Sequence, residues 1–286
     1  MAANPLLITG AHGTLGRAFE RICHTRGLAA VLLARAELDI AEPPQLEAAV
    51  RRYKPWAVIN AAGYVRVDDA ETDVARCFRE NTAGPAALAA VCAARGLPLL
   101  TFSSDLVFDG QQAGPYTESA PTNPLNVYGR SKAAAEEQVL AEHPAALVVR
   151  TSAFFGPWDA HNFVYFALAA ARAGQPFAAA DDVRMAPTYV PDLVNTSLDL
   201  LIDEASGLWH VASQTACTWA ELAQAAARAA DLRPGFIRPQ PMAAFGLPAA
   251  RPAQSVLVSE RGLLMPSLED ALGRCVWEMR LEGHLV

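Results

Sequence analysis

In the stretch PLNVYGRSKAAAEE, residues 124–137, Tyr128 and Lys132 stand four apart in a pattern that predicts a helix start. One helical turn separates them, so phenol and ammonium share a face. A free tyrosine, with a pKa of about 10, is a sluggish acid at neutral pH, and a nearby ammonium stabilises its phenolate. The pair therefore suits proton transfer to or from an oxygen. It also arises by chance on many helices, so the rest of the chain must decide.

A second group lies near the amino terminus. The apolar run LLITG (6–10) opens into GAHGTLG, with glycines at 10, 13 and 16. Three glycines at a strand-to-helix junction suit a phosphate-binding turn. Gly10 allows the tight turn, Gly13 lets a diphosphate approach the backbone, and Gly16 lets the helix pack on the sheet. The amino end of the following helix offers free N–H groups to an anion.

Holding these groups together takes a sheet. Short apolar runs at 6–10, 29–34, 56–62, 97–104 and 146–152 alternate with helical patterns that include 43–53, 74–94 and the Tyr128 helix. Such alternation predicts βαβ units and an α/β fold with a doubly wound parallel sheet. Residues 1–152 read as the nucleotide-binding part, with a later strand at 207–212 returning to the sheet. Residues 153–286 read mainly as a smaller substrate-binding lobe. Its helices are expected near 161–173, 190–204, 218–230 and 267–281, with a loop at 181–192 and a proline-rich irregular stretch around 234–252.

Composition narrows the function. The 286 residues are 52% hydrophobic, enough for a full core, and the formal net charge is −7. No basic run is present, which speaks against nucleic acid or an anionic membrane as partner. No apolar stretch is long enough to predict a membrane span or a signal peptide. Five scattered cysteines with no CxxC pair predict reduced, buried thiols in a cytoplasmic protein and no metal site.

The GxxGxxG spacing resembles the short-chain dehydrogenase/reductase superfamily. NAAG (60–63) is similar to its second cofactor signature, YGRSK (128–132) to its YxxxK signature, and SSD (103–105) falls where its catalytic serine or threonine stands. The resemblance implies a Rossmann-like domain with Ser104, Tyr128 and Lys132 as catalytic residues. Ser104 would hold the substrate carbonyl against Tyr128, Tyr128 would protonate the oxygen, and Lys132 would lower the Tyr128 pKa and bind the nicotinamide ribose.

Segments along nearly the whole chain resemble the dTDP-4-dehydrorhamnose reductase family: SSDLVFDG, PLNVYGRSK, RTSAFFG with HNF, APTYVPDL and ARPAQS. That likeness implies NADPH-dependent reduction of the 4-keto group of a nucleotide-linked 6-deoxy sugar, dTDP-4-dehydrorhamnose to dTDP-L-rhamnose. NADP(H) is the expected cofactor, with NAD(H) the alternative. Gly10, Gly13, Thr14, Leu15 and Gly16 would bind its diphosphate. Arg35, where a strict NAD binder has an acidic residue, would pair with a 2′-phosphate. Asp39 and Ile40 would contact adenine, and Ala61, Ala62, Gly63 and Tyr64 would lie along the adenine-ribose side. On the substrate side the expected contacts are Ser104, Asp105, Tyr128, Asn162 and Arg251, the last meeting the substrate diphosphate. The chain departs from the family at Leu106 and Ala153, where an aromatic residue and a tryptophan are usual, and Trp158 is the candidate replacement. A related epimerase or reductase with another sugar, and a non-catalytic NADP-binding regulatory subunit, are the alternatives. A homodimer is the expected assembly.

Overall fold

The computed structural model describes residues 4–262 and 265–283. The first five apolar runs form strands β1 (Leu6–Thr9), β2 (Ala30–Leu33), β3 (Ala57–Asn60), β4 (Leu99–Ser104) and β5 (Leu147–Thr151). Between them run α1 (Thr14–Thr25), α2 (Pro43–Tyr53), α3 (Val74–Phe78), α4 (Gly84–Ala93) and α5 (Val127–Glu142). Strand neighbours alternate between the two faces of a covered sheet. Leu6 and Ile8 of β1 join the cluster shared with α1, whereas Leu7 joins the one shared with α2, α4 and α5.

The second half contributes β6 (Phe154–Phe155), α6 (Phe163–Arg172), β7 (Phe177–Ala180), β8 (Arg184–Met185), β9 (Thr188–Tyr189), α7 (Val190–Ile202), β10 (Gly207–His210), β11 (Cys217–Thr218), α8 (Trp219–Ala229), β12 (Ile237–Gln240) and α9 (Leu268–Leu281). The main sheet is parallel throughout, in the order β2-β1-β3-β4-β5-β10. Helix α7 packs beside α1 on one sheet face through Leu193, Val194 and Leu198. Helices α6, α8 and α9 share a separate core through Leu168, Leu222 and Leu272. Among the described residues no helix is long and apolar enough to cross a membrane.

Three expectations are corrected. The helix at 74–94 is interrupted by a π-turn over Arg79–Ala83. Pairing decides the other two. The supposed loop at 181–192 holds β8 and β9, paired with β11 and β6, and the proline-rich stretch holds β12, which runs parallel to β7. A two- to four-residue strand carries too little periodicity to stand out in a sequence.

Residues 249–260 form a strap back across the sheet's carboxyl edge. Tyr116 N–H donates to Val256 O at 2.8 Å, and Val258 N–H donates to Tyr116 O at 3.0 Å. Asn126 Nδ2 donates to Ala250 O at 2.8 Å. Glu118, buried at the strap's far end, accepts from Ser259 Oγ at 2.7 Å and from the N–H groups of His210 and Glu260, both at 2.9 Å.

Candidate active site

Chain order reverses between β1 and β3, and a crevice outside the strand carboxyl ends at such a point is where ligands bind in open α/β sheets. The glycine loop follows β1, Ala61–Gly63 follow β3, and between them lies a cleft of about 780 Å³. The three glycines do different work. Gly10 has φ +78°, and a Cβ there would lie 2.6 Å from Ala61 O. A Cβ on Gly16 would run into the Gly10 carbonyl, so this glycine lets the helix close under its own loop rather than onto the sheet. A Cβ on Gly13 would meet only Gly10 O, at 3.4 Å. The fold thus requires Gly10 and Gly16, while Gly13 keeps open the space in front of the α1 amino end. Thr14 and Leu15 also line the cleft; the Thr14 hydroxyl donates to the Asp159 carboxylate.

Arg35, Asp39, Ile40, Ala61, Ala62, Gly63 and Tyr64 all line the other end. Arg35 is not free there: its guanidinium pairs with the Glu80 carboxylate. Asp39 is gripped by Arg79 at 3.0 and 3.2 Å, which, with the Ala41 N–H, outweighs burial and leaves its carboxyl below the usual range. Tyr64 is buried, and among the described residues its hydroxyl finds no hydrogen-bond partner.

The candidate acid–base groups gather behind Gly63. Asn126 caps α5 by accepting from Gly129 N–H at 2.7 Å, which fixes the first turn carrying Tyr128. Lys132 Nζ lies 5.9 Å from the Tyr128 ring centre and donates to Phe102 O at 3.1 Å. A Cβ on Gly63 would stand 3.7 Å from that nitrogen. One turn further on, buried Glu136 holds the buried Arg150 guanidinium at 2.6 and 2.8 Å. Ser104, at the end of β4, accepts from Leu106 N–H at 3.1 Å and donates to Asp105 Oδ1 at 3.0 Å. Burial pushes the Tyr128 phenol well above the ordinary tyrosine range. The Asp105 charge adds to this, and a hydrogen bond with Ser104 works against it. Burial also pulls the Lys132 ammonium down to about 8. The expected lowering of Tyr128 by Lys132 is therefore not seen, because burial of the phenol exceeds the influences that oppose it.

The substrate-side expectations fare differently. Asp105 stands behind Ser104, taking hydroxyl hydrogens from Ser152 at 2.8 Å and from Ser255 of the strap at 2.5 Å. Its oxygens are engaged within the protein, and burial raises its pKa. Asn162 lines the cleft but caps α6: its Oδ1 accepts from Tyr165 N–H at 3.0 Å, and its Nδ2 donates to Gly156 O and Asp159 O at 3.0 and 2.5 Å. Arg251 forms a two-pronged pair with Asp68, at 2.6 and 2.8 Å. Trp158 turns away from the cleft and stacks under Arg21 of α1, 5.1 Å from guanidinium to ring. Ala153 lines the cleft with φ +41°, a conformation that disfavours any side chain beyond glycine. Leu106 sits in the short turn after Ser104, outside the cleft lining.

Sequence reasoning passed over Asn81. It sits in the π-turn, fully buried, and clamps Tyr64 from both sides: its Oδ1 accepts from Tyr64 N–H at 2.8 Å and its Nδ2 donates to Tyr64 O at 3.1 Å. The same Nδ2 donates to Ser131 Oγ of α5 at 3.0 Å. One asparagine thus joins the cofactor-side loop to the helix of Tyr128 and Lys132. The available signal was a polar residue inside an otherwise helical run.

Known proteins are similar to this chain over most of its length. The family model described as RmlD substrate binding domain matches residues 4–281. A probable dTDP-4,6-dihydroxy-2-methyloxan-3-one 4-ketoreductase of Streptomyces antibioticus is 36% identical over 257 residues, covering 89% of this chain and 87% of that protein. A dTDP-4-dehydrorhamnose reductase of Streptomyces griseus is 34% identical over 261 residues, 89% and 86% of the two chains. The crystal structure of dTDP-4-dehydrorhamnose reductase from Bacillus anthracis in complex with NADP superposes with a TM-score of 0.92 at 29% identity, covering 97% of this chain and all of that one. With the match running through both the sheet and the lobe, the chain belongs to the RmlD substrate binding domain family.

Proposed function

We propose that this protein reduces the 4-keto group of a dTDP-linked 6-deoxy sugar with NADPH, the class of reaction for which its relatives are named. The observation that carries the reading is the convergence of Ser104, Tyr128 and Lys132 behind Gly63, at the edge of a cleft whose loop keeps Gly13 clear. That open space, beside the free N–H groups of α1, fits a dinucleotide diphosphate. The bound cofactor supplies the hydride.

The protein's share is orientation and a proton. Ser104 turns its hydroxyl to the substrate carbonyl oxygen and holds it beside Tyr128. The Tyr128 phenol, with its raised pKa, keeps its proton through neutral pH and gives it up only to a strong base, the alkoxide that forms at the former carbonyl. Lys132, charged at neutral pH, stabilises the phenolate left behind and holds the nicotinamide ribose. In turning to the carbonyl, Ser104 gives up the bond its hydroxyl donates to Asp105, and Arg251 keeps the strap seated on Asp68. In this reading residues 1–152 with β10 seat the dinucleotide, and the lobe of α6, α8 and α9 receives the sugar. Five buried, unpaired cysteines fit a reducing cytoplasm.

The test is direct. Purified protein is mixed with NADPH and a panel of nucleotide-linked 4-keto-6-deoxy sugars, and loss of reduced-nicotinamide absorbance is followed. The dTDP-linked sugar should be consumed with matching formation of its 4-hydroxy product. Tight NADPH binding without turnover of any panel member would overturn the proposal.

A further inference from the structure

At the far end of the cleft two arginines from different elements close on one oxygen. Arg35, in the turn after β2, and Arg76, on α3, both reach Glu80 Oε1, Arg76 through Nε at 2.6 Å. The arginine side chains are about half exposed, 53% and 47%, whereas Glu80 is 12% exposed. Glu80 belongs to the π-turn that interrupts the helix, and such turns gather at functional sites. All three residues line the cleft. The other acids nearby are more distant or engaged: Glu37 accepts from the Ala34 N–H at 2.9 Å, Asp39 is held by Arg79 and stands 3.9 Å from Arg35, and Asp73 stands 4.0 Å from Arg76. Opposing hydrogen bonds and charge from Arg76 and Arg35 outweigh burial and keep Glu80 ionised.

This geometry has a consequence for a ribose beyond the carboxyl end of β2. A carboxylate there favours a free 2′-hydroxyl, and a guanidinium pair favours a 2′-phosphate. Here both are present, and the carboxylate occupies the cations. We infer that Glu80 sets the choice between NADPH and NADH: Arg35 and Arg76 together form the 2′-phosphate seat, and Glu80 must release them before the phosphate can take them. NADH, lacking the phosphate, needs no such release and can place its 2′-hydroxyl against Glu80. The inference rests on the reading of this cleft as the dinucleotide site.

The experiment uses 2′,5′-ADP and 5′-ADP as probes, titrated calorimetrically into the whole protein and competed against NADPH. Glu80→Gln keeps the size and an acceptor but removes the charge. It should tighten 2′,5′-ADP by about tenfold, the scale of one charge-assisted contact, and leave 5′-ADP unchanged or slightly weaker. Arg76→Gln, at a half-exposed surface position, should weaken 2′,5′-ADP by about tenfold and leave 5′-ADP within twofold. Raising the salt should shrink the gap between the probes in the wild type. If either variant moves both probes equally, Glu80 and Arg76 do not read the 2′ position and the inference is overturned. If the wild type binds neither probe, the dinucleotide reading falls with it; binding of both with unchanged selectivity in the variants sinks only this inference.

Discussion

Replacing Lys132 by methionine should make the protein more stable and less active. Burial depresses the lysine from 10.5 to about 8 in the folded state. A cation whose folded pKa lies below its unfolded value opposes folding while it is charged, and this cost fades as pH rises from about 8 towards 10.5. At ~1.4 kcal/mol per pH unit the gap sets a ceiling of about 3 kcal/mol. Loss of the bond to Phe102 O offsets about 1 kcal/mol of that. Lys132→Met should therefore raise the denaturation midpoint at pH 7, with the advantage disappearing above pH 10. Activity should move the other way. From a pKa of about 8, roughly nine in ten wild-type molecules carry the charge at pH 7 and about one in ten at pH 9. Wild-type kcat/KM should then fall as pH rises through about 8, whereas Tyr128, held above its ordinary range, stays out of that window. The variant should lose most of its rate and show no such limb. A wild-type profile flat from pH 7 to 9.5, or a variant less stable than wild type at pH 7, would refute the argument that a strained, charged lysine serves the reaction.

Tyr128→Phe should leave cofactor affinity and thermal midpoint intact while lowering turnover by ~10²–10⁴-fold, as read from reduced-nicotinamide consumption. Gly13→Val should abolish NADPH binding in calorimetry yet preserve the fold, because its side chain enters the cleft and meets little protein, whereas Gly16→Val should fail to fold stably because it strikes the Gly10 carbonyl. Arg251→Ala should cost about 1 kcal/mol at pH 7 in denaturant titration. Arg251 holds the Asp68 carboxyl below its usual range, so the pair's contribution is present above pH 4 and lost as pH falls through the depressed value; the gap between wild type and variant should close in acid.

What the sequence revealed followed what short range can encode. The glycine loop, the five apolar runs and the Tyr128–Lys132 spacing are local patterns, and each stands where its period or turn chemistry put it. Side chains whose work depends on distant partners were harder. Arg35 looked like a free cation because Glu80, 45 positions on, is not adjacent in sequence. Arg251 looked available because Asp68 lies 183 positions earlier, and Asp105 looked like a substrate contact because Ser152 and Ser255 come from two other segments. Trp158 could be placed near the cleft but not aimed, since its direction follows from Arg21 on the first helix. The direction of the Tyr128 shift was misjudged for a related reason: spacing reveals a neighbouring charge, while burial, the larger influence, belongs to the whole fold.

The strap at 249–260 and the late strand β10 also bear on how the protein is made. Synthesis runs from the amino end, so a nascent chain of 200 residues already has the glycine loop, Ser104, Tyr128 and Lys132. It still lacks Gly207–His210, the strand that covers β5, and Ser255, which closes over Asp105. Until those residues emerge, β5 is an open sheet edge, able to pair with another chain, and Asp105 lacks one of its hydroxyl donors. Ser104, Tyr128 and Lys132 are thus made well before the segments that complete the sheet edge and the surroundings of Asp105. Fragments ending before residue 207 should be caught by aggregation or protease, and full-length protein should resist both, with the change coming as the strap and not the Tyr128 helix leaves the ribosome.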